Sequence, residues 1–315
     1  MRSVKFDSPY WTNQQNPAPA RYRPARWVGL ALALCMGWLA PPSANLLSAF
    51  PADSGKTGGK PGEYASFVPT GDIRRFADET LLIDISFLWF DNAATASVRF
   101  YEEGGAYYSV LESETKGFVG FFTSYRKHRY KSTFDIVDNG RRVRTRKFER
   151  EVIIGKNVEK TTHLIDYNAR TNWWFEYKNG KLTKKSQRKI PEGVFFDDIL
   201  AAFYNFRNSV YGKVEKQARY TIHTIPDKGV NKIPVYINSE KEAEQYGKEN
   251  GRKQGDAMLL KAVIPKAIFK TESGELWFWI SKHFIPLETT VKDYFLLGDL
   301  RAKLVKREYA PAQQP

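Results

Sequence analysis

Side chains capable of chemistry are few and scattered in this 315-residue sequence. The consecutive carboxylates Asp197 and Asp198 would stand about 100° apart on a helix, so they cannot share a proton as a catalytic pair. We expect them to stabilise a helix end instead. No histidine has a second metal-type ligand at a recognised spacing. The histidines are His128, His163, His223 and His283. A nucleophile elbow, a phosphate loop and a dinucleotide fingerprint are also absent from the sequence. We therefore expect no catalytic residue, no metal site and no cofactor, and a hydrolase is only the third of three hypotheses.

The densest positive charge is the run RRVRTRKFER at 141–150. On a β-strand, Arg142, Arg144 and Arg146 would share one face, because successive side chains alternate. Arg150 would join them in an unbroken strand. This row is predicted to bind an anionic membrane surface or an anionic glycan. The alternative is an edge strand whose charges prevent aggregation. A second, shorter row precedes it: Lys127, Arg129 and Lys131.

Aromatic residues make up 15% of the chain and supply the candidates for an apolar binding site. Seven of them are predicted to line a cavity for a lipid-like or lipidated ligand. They are Phe118, Phe121, Phe122, Phe195, Phe203, Trp277 and Trp279. The alternative is that these residues are core, as most aromatic residues at such spacing are. An open cavity would favour a carrier, whereas a fully packed interior would favour a scaffold.

Alternation of apolar and polar residues predicts an α+β fold that is mostly antiparallel β-sheet. The best-ordered pattern is a C-terminal β-hairpin, in which runs 276–281 and 287–297 flank a turn that ends at Pro286. Both faces of its first run are apolar, so that strand needs cover on two sides. Ten further strands are predicted at 80–90, 94–100, 107–115, 129–137, 142–153, 161–167, 171–177, 216–224, 232–238 and 258–264. Turns are predicted at three pairs: Asp91-Asn92, Asn139-Gly140 and Asn179-Gly180.

Three segments have helical features. Residues 192–207 carry a broad apolar stripe and are predicted to form the main helix, which covers one face of the sheet. Residues 118–125 are predicted to be a short helix or a loop that folds over the sheet. Ser239 and Glu242 form a capping-box pattern, but the following residues are almost wholly polar. We therefore interpret 240–255 as a solvated insertion.

The N-terminal segment has the pattern of an export signal. Arg21, Arg23 and Arg26 precede the apolar run 28–40, which suits a secretory signal better than a membrane span. An uncleaved anchor is the alternative. Cleavage would remove Cys35, so neither disulfides nor thiol chemistry would remain. The net charge of +14 suits anionic partners, and export makes nucleic acid an unsuitable one.

Several short motifs together resemble the exported bacterial family known as domain of unknown function 3108. The matching residues are Asp84 to Trp89, Asp198-Ile199-Leu200 with Tyr204 and Arg207, Trp279-Ile280-Ser281 with Pro286-Leu287, and Gly298 to Leu304. The pattern differs at 93–96, AATA, where the family usually has a glycine. The resemblance implies a curved antiparallel half-barrel, similar to periplasmic lipoprotein carriers, with helical segments on its concave side. It implies no known activity.

These observations lead to a predicted organisation and a ranked pair of functions. We expect a signal peptide at 1–44, a flexible linker at 45–75, one half-barrel domain at 76–307 and a disordered tail at 308–315. The first hypothesis is a periplasmic, non-enzymatic carrier of a lipid-like or lipidated ligand, which would associate with the membrane through its basic row. The alternative is an envelope scaffold that binds a protein or an anionic glycan through a basic face.

Export with cleavage between Ala44 and Ala52 is the first testable prediction, because the polar linker begins there. N-terminal sequencing of the protein purified from its host should find the mature end in that interval. Recovery of an intact 28–40 segment in the membrane fraction would instead establish the uncleaved anchor.

Overall fold

A computed structural model of the chain describes residues 68–87, 90–227, 230–252, 255–264, 273–292 and 299–309. The predicted signal segment, Cys35 and the first part of the predicted linker lie outside these ranges. The side chains of Phe118, Phe121 and Phe122 lie outside the description as well.

Within the described residues the chain forms one sheet of fourteen strands and three α-helices. The strands are β1 (Glu79–Phe87), β2 (Phe90–Glu103), β3 (Ala106–Thr115), β4 (Lys127–Val137), β5 (Arg142–Ile154), β6 (Asn157–Asp166), β7 (Thr171–Lys178), β8 (Lys181–Lys189), β9 (Arg219–Asp227), β10 (Val230–Ile237), β11 (Met258–Val263), β12 (Glu275–Ile280), β13 (Pro286–Val291) and β14 (Leu300–Tyr309). The helices are α1 (Gly117–Phe122), α2 (Ile199–Arg207) and α3 (Glu240–Glu249). A 3₁₀ helix, Ile73–Phe76, precedes β1. None of the helices in the described ranges is long and apolar enough to cross a membrane.

The sheet is antiparallel, curved and unclosed. Its strand order is β8-β7-β6-β5-β4-β3-β2-β1-β14-β13-β12-β11-β10-β9, so β8 and β9 are its two ends. Helix α2 contacts β3, β4, β5 and also β9, although β5 and β9 are far apart in this order. The sheet therefore wraps around α2, which confirms the predicted half-barrel with one main covering helix.

The core lies between α2 and the concave face of the sheet. One flank of the helix, with Leu200, Ala201 and Tyr204, packs against Phe100 of β2 and Val143 of β5. Its other flank, with Ala202 and Phe206, packs against a second cluster. That cluster includes Tyr220, Ile222, Val235, Leu276 and Ile280 from β9 to β12. A single short helix thus fills the space between the two halves of the curved sheet.

The hairpin of β12 and β13 is confirmed, and so is its need for cover on both faces. Leu276 and Ile280 face the α2 side, whereas Trp277 and Trp279 face α3. Helix α3 has the predicted capping box of Ser239 and Glu242. The interpretation of 240–255 as a solvated insertion is nevertheless wrong. Ala243, Tyr246 and Gly247 are buried, because their i, i+3, i+4 spacing gives this polar helix one narrow apolar face.

Other local predictions also need correction. The main helix begins at Ile199 rather than at residue 192, because Asp198 caps it. The Asp91-Asn92 pair lies inside β2, so the turn predicted there is wrong. Strand β8 was not predicted. The Asn-Gly turns are confirmed, since all four residues have positive φ: Asn139, Gly140, Asn179 and Gly180.

The fold also extends slightly beyond the expected domain limits. Ile73 and Phe76 are buried in the core, so the 3₁₀ helix belongs to the folded domain. Strand β14 continues through Tyr309 and pairs with Glu79 of β1. The first and last strands of the domain therefore lie side by side in the middle of the sheet.

The role of α3 as packed cover can be tested with Tyr246→Ala. Tyr246 stacks on Trp277 with ring centroids 4.4 Å apart, so we expect a loss of about 3 kcal/mol in the free energy of unfolding in urea. Glu244→Ala, on the exposed side of the same helix, is the control and should change stability by less than about 0.5 kcal/mol. Equal effects of the two substitutions would show that α3 does not protect the tryptophans.

Candidate functional site

The conspicuous chemistry of this protein is a group of buried charges around α2. Asp198 caps the helix and accepts hydrogen bonds from the backbone N–H groups of Leu200, at 2.8 Å, and Ala201, at 3.2 Å. Its carboxylate also accepts from Ser132 Oγ of β4 at 2.7 Å and Thr145 Oγ1 of β5 at 2.6 Å. The predicted helix-end role is confirmed for Asp198. The same four bonds fix the start of α2 to the sheet.

Asp197, the residue before Asp198, has a different environment. Its side chain is 1% exposed and accepts from Arg142 at 2.5 Å and from the Tyr211 hydroxyl at 2.7 Å. Asn205 of α2 donates to it at 3.2 Å. Burial raises the pKa of Asp197 to about 6, an effect that outweighs the opposing influence of Arg142.

This part of the chain also bridges the open side of the half-barrel. The Asp197 backbone N–H donates to His223 O of β9 at 2.8 Å. The Asn205 side chain accepts from the N–H of Val143 at 3.0 Å and donates to its carbonyl at 2.9 Å, as a neighbouring strand would. Residues 197–205 therefore connect β9 to β5 without closing the sheet.

A second buried group surrounds Glu79 of β1. Arg207 of α2 donates to both carboxylate oxygens, at 2.5 and 2.9 Å, and Arg307 of β14 donates at 2.6 Å. The Arg207 Nε also donates to the Phe284 carbonyl in the β12–β13 turn at 3.1 Å. Glu79 has a pKa below its usual value; burial opposes this shift, but the two arginines outweigh it. This carboxylate is shared between fixed donors, so the arrangement is structural.

The predicted arginine row does not form a continuous exposed face. Arg142 is only 12% exposed and pairs with Asp197, and Arg144 pairs with Asp135 at 3.0 Å. A register shift in the β4–β5 pairing leaves Arg146 in a bulge, which places Arg150 on the opposite face. Strand β6 pairs with Lys147–Ile154 of β5 and not with 142–146, so the edge-strand alternative stays a prediction for this segment. A role of this row in binding stays a prediction.

The predicted aromatic site is divided between the two faces of the sheet. Phe195 packs against Tyr167 at 5.3 Å, and Phe203 packs against the core beneath α2. Trp277 and Trp279 lie on the other face, under α3. These four residues therefore do not line one common cavity. Ligand binding by any of them stays a prediction.

The structure does assemble a surface that the sequence did not reveal, here called the outer patch. It comprises nine residues of β6, β7 and β8 on the face opposite α2. They are Lys160, Thr162, Leu164, Trp173, Phe175, Tyr177, Leu182, Lys185 and Gln187. Leu164 is 40% exposed and Leu182 is 47% exposed. The Lys185 ammonium lies 5.5 Å from the Trp173 ring centroid and 5.8 Å from that of Phe175.

Strand β8 adds positive charge at this end of the sheet, with Lys185 and Lys189 on the patch face and Lys181 and Arg188 on the opposite face. Five of its nine residues are Lys or Arg, and it forms one end of the sheet. Lys184 pairs with Glu176. The remaining four form no ion pair within the described ranges: Lys181, Lys185, Arg188 and Lys189. The sequence does contain a signal for this patch, since the basic run KLTKKSQRK directly follows an aromatic strand. The run has too few apolar residues for its pattern to predict a strand.

The histidines give no sign of a metal centre. Burial, with the nearby Arg126 and Arg150, lowers the pKa of His128 to about 4, so this side chain is neutral at physiological pH. Across the described ranges, no three His, Cys, Asp or Glu side chains are grouped closely enough to hold a metal ion.

The fold and these sites define a mostly β half-barrel domain with a polar-anchored helix and a basic, aromatic outer face. The chain belongs to the family described as "Protein of unknown function (DUF3108)", whose model matches residues 83–305. No curated protein matches it. Among solved structures it is similar to a beta-barrel-like protein of domain of unknown function DUF1849 from Brucella abortus. The TM-score is 0.43 at 12% sequence identity, with 75% of this chain and 99% of that chain covered.

The raised pKa of Asp197 predicts an unusual pH dependence. Between its ordinary value of 3.8 and about 6, the native state holds a proton that the unfolded state has lost. The extra proton adds to the free energy of unfolding, on the order of 3 kcal/mol in total. This stabilisation is fully present below about pH 4 and is lost as the pH rises through 6. Asp197→Asn cannot titrate, so its stability should rise relative to wild type over this interval.

Urea unfolding of both proteins at a series of pH values measures this difference. Loss of the Arg142 pair lowers the free energy of unfolding of the variant by a roughly constant amount. The informative quantity is therefore how the difference between the two proteins changes with pH, and not its absolute size. Carbon-13 NMR of the Asp197 carboxyl group reports its titration directly. A stability difference that does not change with pH would show that the carboxylate stays charged.

Proposed function

We propose that this protein is a non-enzymatic binding domain of the cell envelope that attaches to an anionic lipid surface through the outer patch. The observation that supports this most is the combination, on one sheet face, of exposed apolar side chains with the unpaired cations Lys185 and Lys189. Leu164 and Leu182 flank Trp173 and Tyr177, their register partners on β7. Aromatic side chains with an apolar body and a polar edge suit the boundary between lipid and water.

The charges favour the anionic surface of a membrane. Each Lys or Arg near such a surface contributes about 1 kcal/mol of attraction. Lysine also keeps its ammonium group in water while its methylene chain covers apolar neighbours, as Lys185 does over Trp173. Lys185 and Lys189 are thus available to lipid phosphates on the patch face, and Lys181 and Arg188 add positive charge at the same end of the sheet. Arg142 and Arg144 are instead engaged within the protein.

Packing of the interior supports surface attachment more than the enclosure of an acyl chain. Ala201 and Tyr204 of α2 are fully buried against the concave face. Asp198 and Arg207 fix the two ends of the helix by buried polar contacts. A carrier would need this helix to move, and breaking such buried pairs costs about 3–5 kcal/mol. The periplasm is the compartment that we propose, as expected from the N-terminal segment.

Vesicle flotation can test the role of the β8 cations. We expect the protein to bind vesicles of phosphatidylglycerol and phosphatidylcholine, and not phosphatidylcholine alone. Changing Lys181, Lys185, Arg188 and Lys189 together to Gln should weaken binding at least about tenfold and flatten its salt dependence. A matched control changes four cations elsewhere to Gln: Lys213, Lys241, Lys248 and Lys306. Equal losses in both variants would indicate attraction by net charge only and would contradict a specific surface.

A second variant distinguishes lipid from glycan. Trp173→Ser with Leu182→Ser removes apolar contact and retains every cation, so vesicle binding should fall while binding to a soluble sulfated polysaccharide is unchanged. Circular dichroism and a melting curve check that both variants fold. Polysaccharide binding without vesicle binding in the wild-type protein would favour the glycan-binding scaffold.

A further inference from the structure

A cleft of about 420 Å³ lies beside α3, at the opposite end of the strand order from the outer patch. Two kinds of polar side chain dominate its walls. The carboxylates are Glu242, Glu249 and Glu275, and the carboxamides are Asn238, Gln245 and Asn250. Lys292 supplies the ammonium group among the lining residues of this cleft. Its polar groups can therefore accept and donate hydrogen bonds over a short distance.

The apolar wall of the cleft is the stacked pair Tyr246 and Trp277. Lys261 lies over the Trp277 ring with its ammonium 4.9 Å from the centroid, and Trp277 Nε1 donates to Glu275 at 3.1 Å. The indole is therefore held in place by contacts on its ring and at its nitrogen. A ligand in the cleft would meet a preformed aromatic wall.

One buried group in the cleft lacks a partner. Asn238, which follows β10, is 6% exposed, and its backbone N–H donates to Leu259 O at 2.8 Å. Its side-chain amide oxygen has no hydrogen-bond partner among the described residues. Buried polar groups are rarely left unpaired, and an unpaired one has a free-energy cost. The Asn238 amide is therefore a candidate for completion by a bound molecule.

The cleft residues that already have partners can still form further hydrogen bonds. Gln245 donates to one oxygen of Glu249 at 2.9 Å, and a carboxylate has about four acceptor positions. Asn250 accepts from Lys292 at 3.1 Å, and Lys292 also pairs with Asp299 at 2.6 Å. The cation in the cleft is therefore already neutralised by the protein.

We infer that this cleft binds a neutral, hydroxyl-rich molecule, and that the chemical class is a saccharide unit. A hydroxyl group both donates and accepts, so it can serve the carboxylates and the carboxamides together. Lys261 pairs with Glu275 and Lys292 pairs with Asp299, so the carboxylates of Glu242 and Glu249 remain to disfavour an anion. The apolar wall formed by Tyr246 and Trp277 can pack against the C–H groups of a sugar ring.

The test uses chitobiose and maltose as probes, with saturation-transfer NMR and calorimetry on the protein without vesicles. We expect at least one of these disaccharides to bind the wild-type protein with millimolar affinity. Asn238→Ala and Glu249→Ala should each weaken this binding about tenfold, the effect of one lost hydrogen bond. Glu244→Ala, on α3 but outside the cleft lining, should bind as the wild type does.

Other outcomes would overturn the inference. Binding of spermidine in place of either disaccharide, weakened by Glu249→Ala, would show a cation site. Failure of both disaccharides to bind the wild-type protein would also exclude it. Glu249 is exposed, so its substitution should leave the melting temperature unchanged and remains decisive if Asn238→Ala does not fold.

Discussion

The shared carboxylate of Glu79 is the contact on which the arrangement of this fold depends. It is fully buried and receives Arg207 from α2 and Arg307 from β14, so one side chain joins the covering helix to the middle of the sheet. Removal of any one of these charges would leave another uncompensated in a low-dielectric interior. Because Arg207 also donates to the Phe284 carbonyl, the same contact positions the β12–β13 turn.

The internal pairing of arginines determines where the excess positive charge of the protein appears. Arg142 and Arg144 look like a binding row in the sequence, but Asp197 and Asp135 neutralise them in the fold. The cations of β8 have a different position, because in the described sheet their strand is at one end and pairs with β7 alone. A charge at such an end remains in solvent and can act on a partner over about one Debye length.

The two proposed surfaces use the same sheet in different ways. The outer patch is a broad, partly exposed sheet face. The aromatic residues of β7 lie at its centre, between β6 and β8. The cleft beside α3 is an open polar recess at the side of a short helix that packs over Trp277 and Trp279. They lie toward opposite ends of the strand order and share no residue.

The sequence by itself determined the mostly β composition, most strand positions, both Asn-Gly turns, the C-terminal hairpin, the covering helix and the family. These features follow from local periodicity and turn chemistry, which act over a few residues. Only the tertiary structure decided which charges are neutralised and which faces meet. Arg142 and Asp197 are 55 positions apart in the chain. The buried side of α3 consists of three residues in an otherwise polar helix. Long-range pairing and burial depend on the curvature of the whole sheet, and no short segment of sequence records that curvature.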